Sequence, residues 1–555
     1  MYVVISDLNT ETLFTLQDLE LAWERVNASV GADTKDYFGI TVYSTDVGKY
    51  LKELHSELLC DKYAPTRTFK YFEPKQSGTQ RTKTVLRIKD AIVYQAIADK
   101  IAFELYGHLS KNSNYVYGSV LNENVTKGSS LLEEDEPDFY FFEYYVSLYN
   151  RFIEGISDAL DSECVQWKLE TDITGFFDCI PHATLILELH KLGINKAILD
   201  LLAECLNSWS GTRDMPTFNV GIPQGPPASF LLANILLDGL DTLVIERGLT
   251  YFRFMDDIRI YGENEKVLLS TLALIDRYLK GRSLSLNNSK TLIQPISDSM
   301  DDEDSLLDGS GIQIEKDSLA TLSEDIVIQD QTQLKQTESG TTKLPDSVAQ
   351  LAYFQVLDEI EQELLEFYQS HDSCSILEPI TTKNVRRFLT LSQKWRLIVK
   401  AIKSIQEYSP SHELIKVWLF GIRHIFWKAN SMVWNLKCYE SLENYYSDFE
   451  DILQEFKHFE WVQYQVLNIY SKVLGGNTDR QEKAIRDLVD EASPLIRLGY
   501  YSILVEAIKT DSKLFESLSN LLKRENEEYV KDSVLNLIRL EHLNVPISSL
   551  KSWFL

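Results

Sequence analysis

Two aspartates stand side by side in this chain, Asp256-Asp257, between two runs that read as β-strand, LTYFRF before them and IRIYGE after. Strand, short turn and strand make a β-hairpin. A hairpin tip holding adjacent carboxylates either faces water or has a use for paired negative charge. Turns often carry Asp, because its side chain bonds the local backbone, so a polar tip is one reading. A chemical reading needs partners elsewhere in the sequence.

Three segments supply candidates. CVQWKLETD alternates, with Val165, Trp167, Leu169 and Thr171 on one side of a strand and Lys168, Glu170 and Asp172 on the other. It runs into TDITGFFDCIPH (171–182), where Phe177 lies five residues after Asp172. GIPQGPPASFLLAN (221–234) is a Gly/Pro-rich turn leading into an apolar helix, and LSLNNSKT (284–291) sets Lys290 after a strand-like run. The net charge of −28 argues against a general phosphate-binding surface. Between Lys62 and Lys89, however, eight Lys and Arg face Glu73 alone. That basic island is either a confined phosphate site or a solvated hairpin.

Length leaves room for several domains. Residues 61–89 read as irregular strands around a turn at Ser77-Gly78. Asp90 is the expected N-cap of a helix that places Ile92, Ala96, Ile97, Ile101 and Leu105 on one face. FYFFEYYVSLYNRFI (139–153) reads as an aromatic core helix, and Pro181 as the first turn of another. Thirteen Asp/Glu against Lys316, Lys335 and Lys343 mark 298–346 as an acidic linker or insertion. From 347 onward successive amphipathic helices follow without a fixed period. The most apolar run, Phe230 to Ile245, is broken by Asp238 and Asp241, so no membrane span is expected. Six cysteines without a CxxC pair fit reduced thiols in a cytoplasm.

The order and spacing of these segments resemble reverse transcriptases and related right-hand-palm polymerases, over about residues 62–295. Asp172 matches the first catalytic motif, Gly221–Asn234 the glycine–proline–glutamine–glycine motif, Phe254–Asp257 the aromatic-X-Asp-Asp hairpin and Lys290 the later motif lysine. Lys75, Gly78 and Arg81 look like the fingers. The chain departs from the commonest pattern where Pro226-Pro227 follow Gly225 in place of a Ser. The resemblance implies an α+β reverse-transcriptase palm and fingers followed by an all-α helical-repeat-like C-terminal domain. The expected division is 1–60 N-terminal extension, 61–297 fingers and palm, 298–346 linker and 347–555 helical domain.

What the resemblance implies for chemistry is nucleotidyl transfer to dNTPs, with two Mg²⁺ ions (or Mn²⁺) stabilising the attacking and leaving oxygens. Asp172 and Asp256 would hold them, with the carbonyl of Ile173 an extra ligand and Asp257 a ligand or a support. Phe177 would exclude the 2′-hydroxyl of ribonucleotides, unless it packs the core. Gln224 and Gly225 would line the template and nucleotide pocket. Lys75 and Arg81 would clamp the triphosphate, and Lys290 would protonate pyrophosphate. Palm followed by helices resembles the bacterial abortive-infection and defence-associated reverse transcriptases. By that likeness the DNA product is either free or covalently attached to the protein, a companion noncoding RNA is an alternative template, and the chain forms a homo-oligomer. A retron-like RNA-templated enzyme and a catalytically silent scaffold are the competing readings. In the helical region Lys383, Arg386, Arg387, Lys394 and Arg396 are the expected contacts to a product strand.

Overall fold

A computed structural model describes residues 13–29, 35–162, 164–211, 218–296, 346–371, 380–475, 477–508 and 514–542. The acidic stretch expected to be a linker lies almost wholly outside these residues. The chain divides into two compact units, the first drawn from 1–71, 82–300 and 540–555, the second from 72–81 and 301–539.

The first unit opens with three helices, α1 (Leu16–Ala28), α2 (Tyr37–Tyr43) and α3 (Val47–Leu59). A capping box between Thr15 and Asp18 starts α1. Leu19, Trp23, Leu51 and Leu54 bury into the same core as the residues that follow. Strands β1 (Phe69–Pro74) and β2 (Gln80–Val85) form a hairpin, turned at Gly78 with φ +81°. Helix α4 (Ile88–Leu109) starts two residues before the expected cap. Asp90 instead sits in its first turn, buried, accepting from Tyr63 Oη at 2.7 Å and from the Thr66 amide at 3.0 Å. A carboxylate in a first turn is favoured by the helix dipole, so the residue type was informative and its position was not.

Helix α5 spans Tyr145–Leu160 only. Residues 139–144, expected as helix, are not helical, and Phe142 bridges Leu121 as extended backbone. Strand β3 (Trp167–Thr171), short helix α6 (Phe176–Cys179), α7 (His182–Lys191), α8 (Lys196–Trp209) and α9 (Pro227–Ile245) come next, with Pro181 as the N-cap of α7 rather than inside it. They are followed by β4 (Thr250–Phe254), β5 (Asp257–Gly262), α10 (Glu265–Lys280) and β6 (Leu292–Pro295). The four later strands make one antiparallel sheet in the order β4-β5-β3-β6. This is an α+β fold, with α4 and α9 among its buried core.

Helix α9 is long and apolar enough to cross a membrane by length and composition, yet it is mostly buried within the fold. What anchors it is electrostatic. Arg253 of β4, 1 % exposed, donates from Nε and Nη2 to the two carboxylate oxygens of Asp241 at 2.7 and 2.6 Å. Its Nη1 reaches Asn234 Oδ1 at 2.9 Å and the Met255 carbonyl at 2.8 Å, while Tyr251 Oη donates to Asp241 at 2.6 Å. Burial alone would lower the Arg253 pKa; the Asp241 charge and hydrogen bonds outweigh it and hold the guanidinium above its ordinary value.

In the second unit the described residues from 346 to 539 are helical apart from short connections. Helices 382–405 and 414–424 bury Trp395, Trp418 and Phe388 between them.

Removing one partner of a buried pair strands the other charge in a medium that solvates it poorly. Asp241→Asn should therefore lower stability by about 3–5 kcal/mol, read by chemical denaturation, while Arg253→Met with Asp241→Leu should recover most of the loss. Equal losses in the single and double variants would show that packing, and not the stranded charge, sets the cost.

Candidate active site

Asp172 follows the last residue of β3, the strand between β5 and β6. In the register of β3 with β5, Thr171 opposes Ile258, so one step further sets Asp172 level with the start of the β5 strand at Asp257. Asp256 lies in the β4–β5 turn itself. The sheet thus brings together the three aspartates that sequence separates by more than eighty positions.

Several neighbours fix that turn. Met255 takes φ +56°, a conformation costly for a residue with a side chain. Gly118 packs against it so closely that a Cβ there would lie 2.4 Å from the Met255 amide nitrogen. The segment holding Gly118 pairs with β4, Tyr117 N donating to Arg253 O and Arg253 N to Tyr115 O, both at 2.8 Å. Asn234 of α9 donates to Gly118 O at 2.8 Å. The Phe254 ring wedges among Tyr145, Tyr149 and Phe152 of α5, at centroid distances of 5.4, 5.7 and 5.5 Å. The aromatic of the hairpin motif is thus a packing residue.

The charges are arranged with equal care. Burial pushes Asp256 up to about 6, and the neighbouring charges of Asp172 and Asp257 push the same way. Asp257 is also raised, by burial first, although Arg259 opposes this with a hydrogen bond from Nη2 at 3.3 Å. Arg259 in turn bonds Glu170, and Lys168 Nζ, almost wholly buried, lies 3.7 Å from the same carboxylate. Lys290 places its ammonium 2.8 Å from Asp172 Oδ2. Burial would lower the Lys290 pKa, but the bond and charge of Asp172, with Asp257 and Asp256 behind it, keep it raised.

Among the described residues no group of three or more His, Cys, Asp or Glu side chains is arranged to hold a metal ion by itself. The donor set instead suits hard divalent ions that keep their own waters and need few carboxylates. Asp172 Oδ1 is buried without a hydrogen-bond partner, and a cation is already drawn to Oδ2. Mutual repulsion among three carboxylates is what a cation would relieve. The residues fit such ions.

The other expected residues fall in four places. Ile173 is buried and bridges Leu286. Phe177 is 8 % exposed, edge-on to Phe230 at 5.3 Å, with its carbonyl bonded by the Ile222 amide at 2.9 Å. The Gln224 carbonyl accepts from the Thr84 amide at 3.4 Å, and Gly225 takes φ +136° before Pro226 caps α9. Lys75 and Arg81 sit on the β1–β2 tip, within the second unit, Lys75 exposed and Arg81 Nε 3.6 Å from Glu73. Sequence reasoning missed Gly118, Asn234 as a bonding residue, Glu170, Arg253 and Arg259. The two arginines were legible only as alternating strand residues, since nothing local names a partner 12 or 89 positions away.

Residues 74–301 match the family described as reverse transcriptase (RNA-dependent DNA polymerase). The match covers less than half of the chain, so residues 74–301 are similar to a reverse transcriptase domain. Among curated proteins it is similar to the COX1/OXI3 intron 2 protein of Saccharomyces cerevisiae, 24% identical over 241 residues, 42% of this chain and 24% of that protein. It is also similar to the Retron Ec86 reverse transcriptase of Escherichia coli, 26% identical over 129 residues, 22% of this chain and 37% of that one. The matches thus span well under two thirds of these relatives. Among solved structures, apo telomerase from Candida tropicalis aligns with 75% of this chain and 74% of its own, at 12% identity and a TM-score of 0.32.

Gly118→Ala should push the β4–β5 turn off its present path, since the contact it would make is to backbone. The expected outcome is a loss of nucleotide incorporation by about tenfold or more at nearly unchanged far-UV circular dichroism. Full incorporation by this variant would show that the turn tolerates movement.

Proposed function

We propose that this chain is a DNA polymerase of the reverse-transcriptase fold that adds dNTPs to a growing strand in antiphage defence. The observation that carries the catalytic part is the convergence of Asp172, Asp256 and Asp257, inside the matched domain, with one Asp172 oxygen left unpartnered. Two Mg²⁺ ions, when bound, would supply charge stabilisation to the attacking and leaving oxygens, worth several kcal/mol.

The protein's own residues do the rest. Asp172 and Asp256 would hold the ions, and Arg259, bonded to both Glu170 and Asp257, orients the Asp257 carboxylate. Lys290 Nζ carries a proton at the edge of the site and is placed to give it to the departing pyrophosphate. Phe177 closes the floor under the sugar, which favours dNTPs. The family resemblance also gives Lys75 and Arg81 as candidates for a triphosphate clamp.

The defence role rests on the order of the parts, a palm followed by a long all-α region, which resembles defence-associated reverse transcriptases. Synthesis without a template, product attached to the protein, assembly as a homo-oligomer and helical repeats belong to the same reading. The free thiols of Cys60, Cys164, Cys179, Cys205 and Cys438 support a reducing, cytoplasmic setting. Similarity to a retron enzyme favours a second reading, copying of a noncoding RNA.

Incubation with Mg²⁺ and labelled dNTPs, with and without RNA, followed by nuclease or protease digestion, separates these readings. Label that appears without RNA and shifts on proteolysis supports protein-attached, untemplated synthesis; strict dependence on RNA supports the second. Asp256→Asn and Asp172→Asn should each cut incorporation by about a hundredfold or more with no fall in melting temperature. Activity within about tenfold of wild type would remove the metal-site assignment. Phe177→Ala should raise the rNTP/dNTP ratio of kcat/KM, and an unchanged ratio would leave that ring a core residue only.

A further inference from the structure

The loop that carries Gln224 and Gly225 has no helix or strand of its own. Asn219, Gly221 and Gly225 all take positive φ, at +65°, +87° and +136°, so regular pairing along it is broken. The segment 177–182, from the end of α6 to the start of α7, holds it instead. The Ile222 amide donates to Phe177 O at 2.9 Å, the Gly221 amide to Ile180 O at 2.8 Å and the His182 amide to Asn219 O at 2.9 Å. The last bond also satisfies a donor in the first turn of α7, where the helix offers no acceptor. The two backbones lie close, since a Cβ at Gly221 would be 3.0 Å from Asp178 O.

None of these bonds uses the carbonyl of Gly221, a buried residue. The His182 ring takes it, with Nε2 2.6 Å from that oxygen. His182 is 4 % exposed, and burial holds its pKa below the ordinary value, against the opposing bonds to Gly221 and Asn207. A neutral imidazole has one N–H, and so short a contact with a carbonyl oxygen requires that N–H on Nε2. Nδ1 is then an acceptor. Asn207 Oδ1 of α8 lies 3.4 Å from it, and half a turn of that amide presents the NH2 group instead. The ring is held between α8 and the loop, and its strong bond goes to the loop.

A buried histidine is ordinarily a satisfied core residue and nothing more. What sets this one apart is the pair of features it joins. Phe177 receives the Ile222 amide and packs its ring edge-on to Phe230 at 5.3 Å. Gln224, two residues further along the loop, meets the Thr84 amide through its carbonyl at 3.4 Å. Floor and wall of the nucleotide pocket are thus zipped together, and the ring closes the zip. Without it the Gly221 carbonyl is buried and unpaired, a cost that the loop relieves by moving toward water.

We propose that His182 is a positioning residue for the incoming nucleotide, fixing the loop 219–225 against Phe177 through its bond to Gly221 O. The proposal rests on the reading of Phe177 and Gln224 as pocket residues. His182 itself touches no substrate; it sets nucleotide affinity and sugar discrimination through the loop.

Three variants of the full chain test this. His182→Leu removes the donor, His182→Asn places an amide near the Nδ1 position only, and His182→Gln places an N–H where Nε2–H was. Backbone hydrogen exchange, read by mass spectrometry without nucleotide, should speed up about tenfold or more across 219–225 in the Leu and Asn variants. Exchange in β3 and β5 should stay within about twofold of wild type. With Mg²⁺, in whichever RNA condition supports wild-type incorporation, the KM for dATP should rise about tenfold in these two variants. Their kcat should stay within about twofold, and the ATP/dATP ratio of kcat/KM should rise about fivefold. His182→Gln should match wild type in every measurement. A Gln variant as impaired as the Leu variant, or unchanged loop exchange in the Leu and Asn variants, would overturn the proposal. Normal wild-type activity with an unchanged KM in those variants sinks it alone, whereas a wild type that incorporates nothing sinks the polymerase reading with it. If His182→Leu lowers the melting temperature, the Asn and Gln pair, close in size and polarity, decides.

Discussion

One guanidinium organises the first unit. Arg253 satisfies both oxygens of Asp241, the side chain of Asn234 and the carbonyl of Met255. Those bonds tie the apolar helix α9 to the strand beside it and to the turn that carries Asp256. A charge pair in a low-dielectric core adds little net stability over an apolar replacement, but it enforces one arrangement, because every alternative leaves a charge unpaired. Here the arrangement enforced is the position of a carboxylate.

Around that carboxylate the fold works against itself. Three aspartates converge although burial raises Asp256 and Asp257, with the charges of Asp172 and Asp257 adding to the rise at Asp256 and that of Glu170 at Asp257. Cations at the edges, Lys290 on Asp172 and Arg259 on Asp257, temper the repulsion without cancelling it. Asp172 Oδ1 keeps no partner. Such local cost persists only where surrounding structure holds it in place, which here means the antiparallel register of β3 with β5, the Phe254 wedge and the close backbone contact at Gly118.

Much of this was legible in the sequence. Strand alternation before Asp172, the two strand runs about Asp256-Asp257 and the apolar run after Gly225 each follow a local period, and each became the element expected. Local signals failed where tertiary partners decide. Asp90 looked like a cap because Asp is a good one, yet Tyr63 and Thr66 claim it. Residues 139–144 share the aromatic character of the helix after them, but Phe142 finds a strand partner at Leu121. Lys168, on the side of its strand that alternation marks as polar, is buried all the same. The need for glycine at 118 depends on a backbone 137 positions later, a relation that no window of sequence contains.

Helix α9 also bears on how the chain is made. Residues 227–245 leave the ribosome before residue 253, so for a time the nascent chain presents a 19-residue apolar helix whose buried acid has no counter-ion. In that interval the segment has the profile of a membrane anchor. Asp238 and Asp241 oppose insertion, each at a cost of about 3 kcal/mol near a bilayer centre. Seven residues, 246–252, separate the helix from Arg253. The acid that pairs with Arg253 in the folded unit thus also lowers the tendency of this apolar segment to enter lipid.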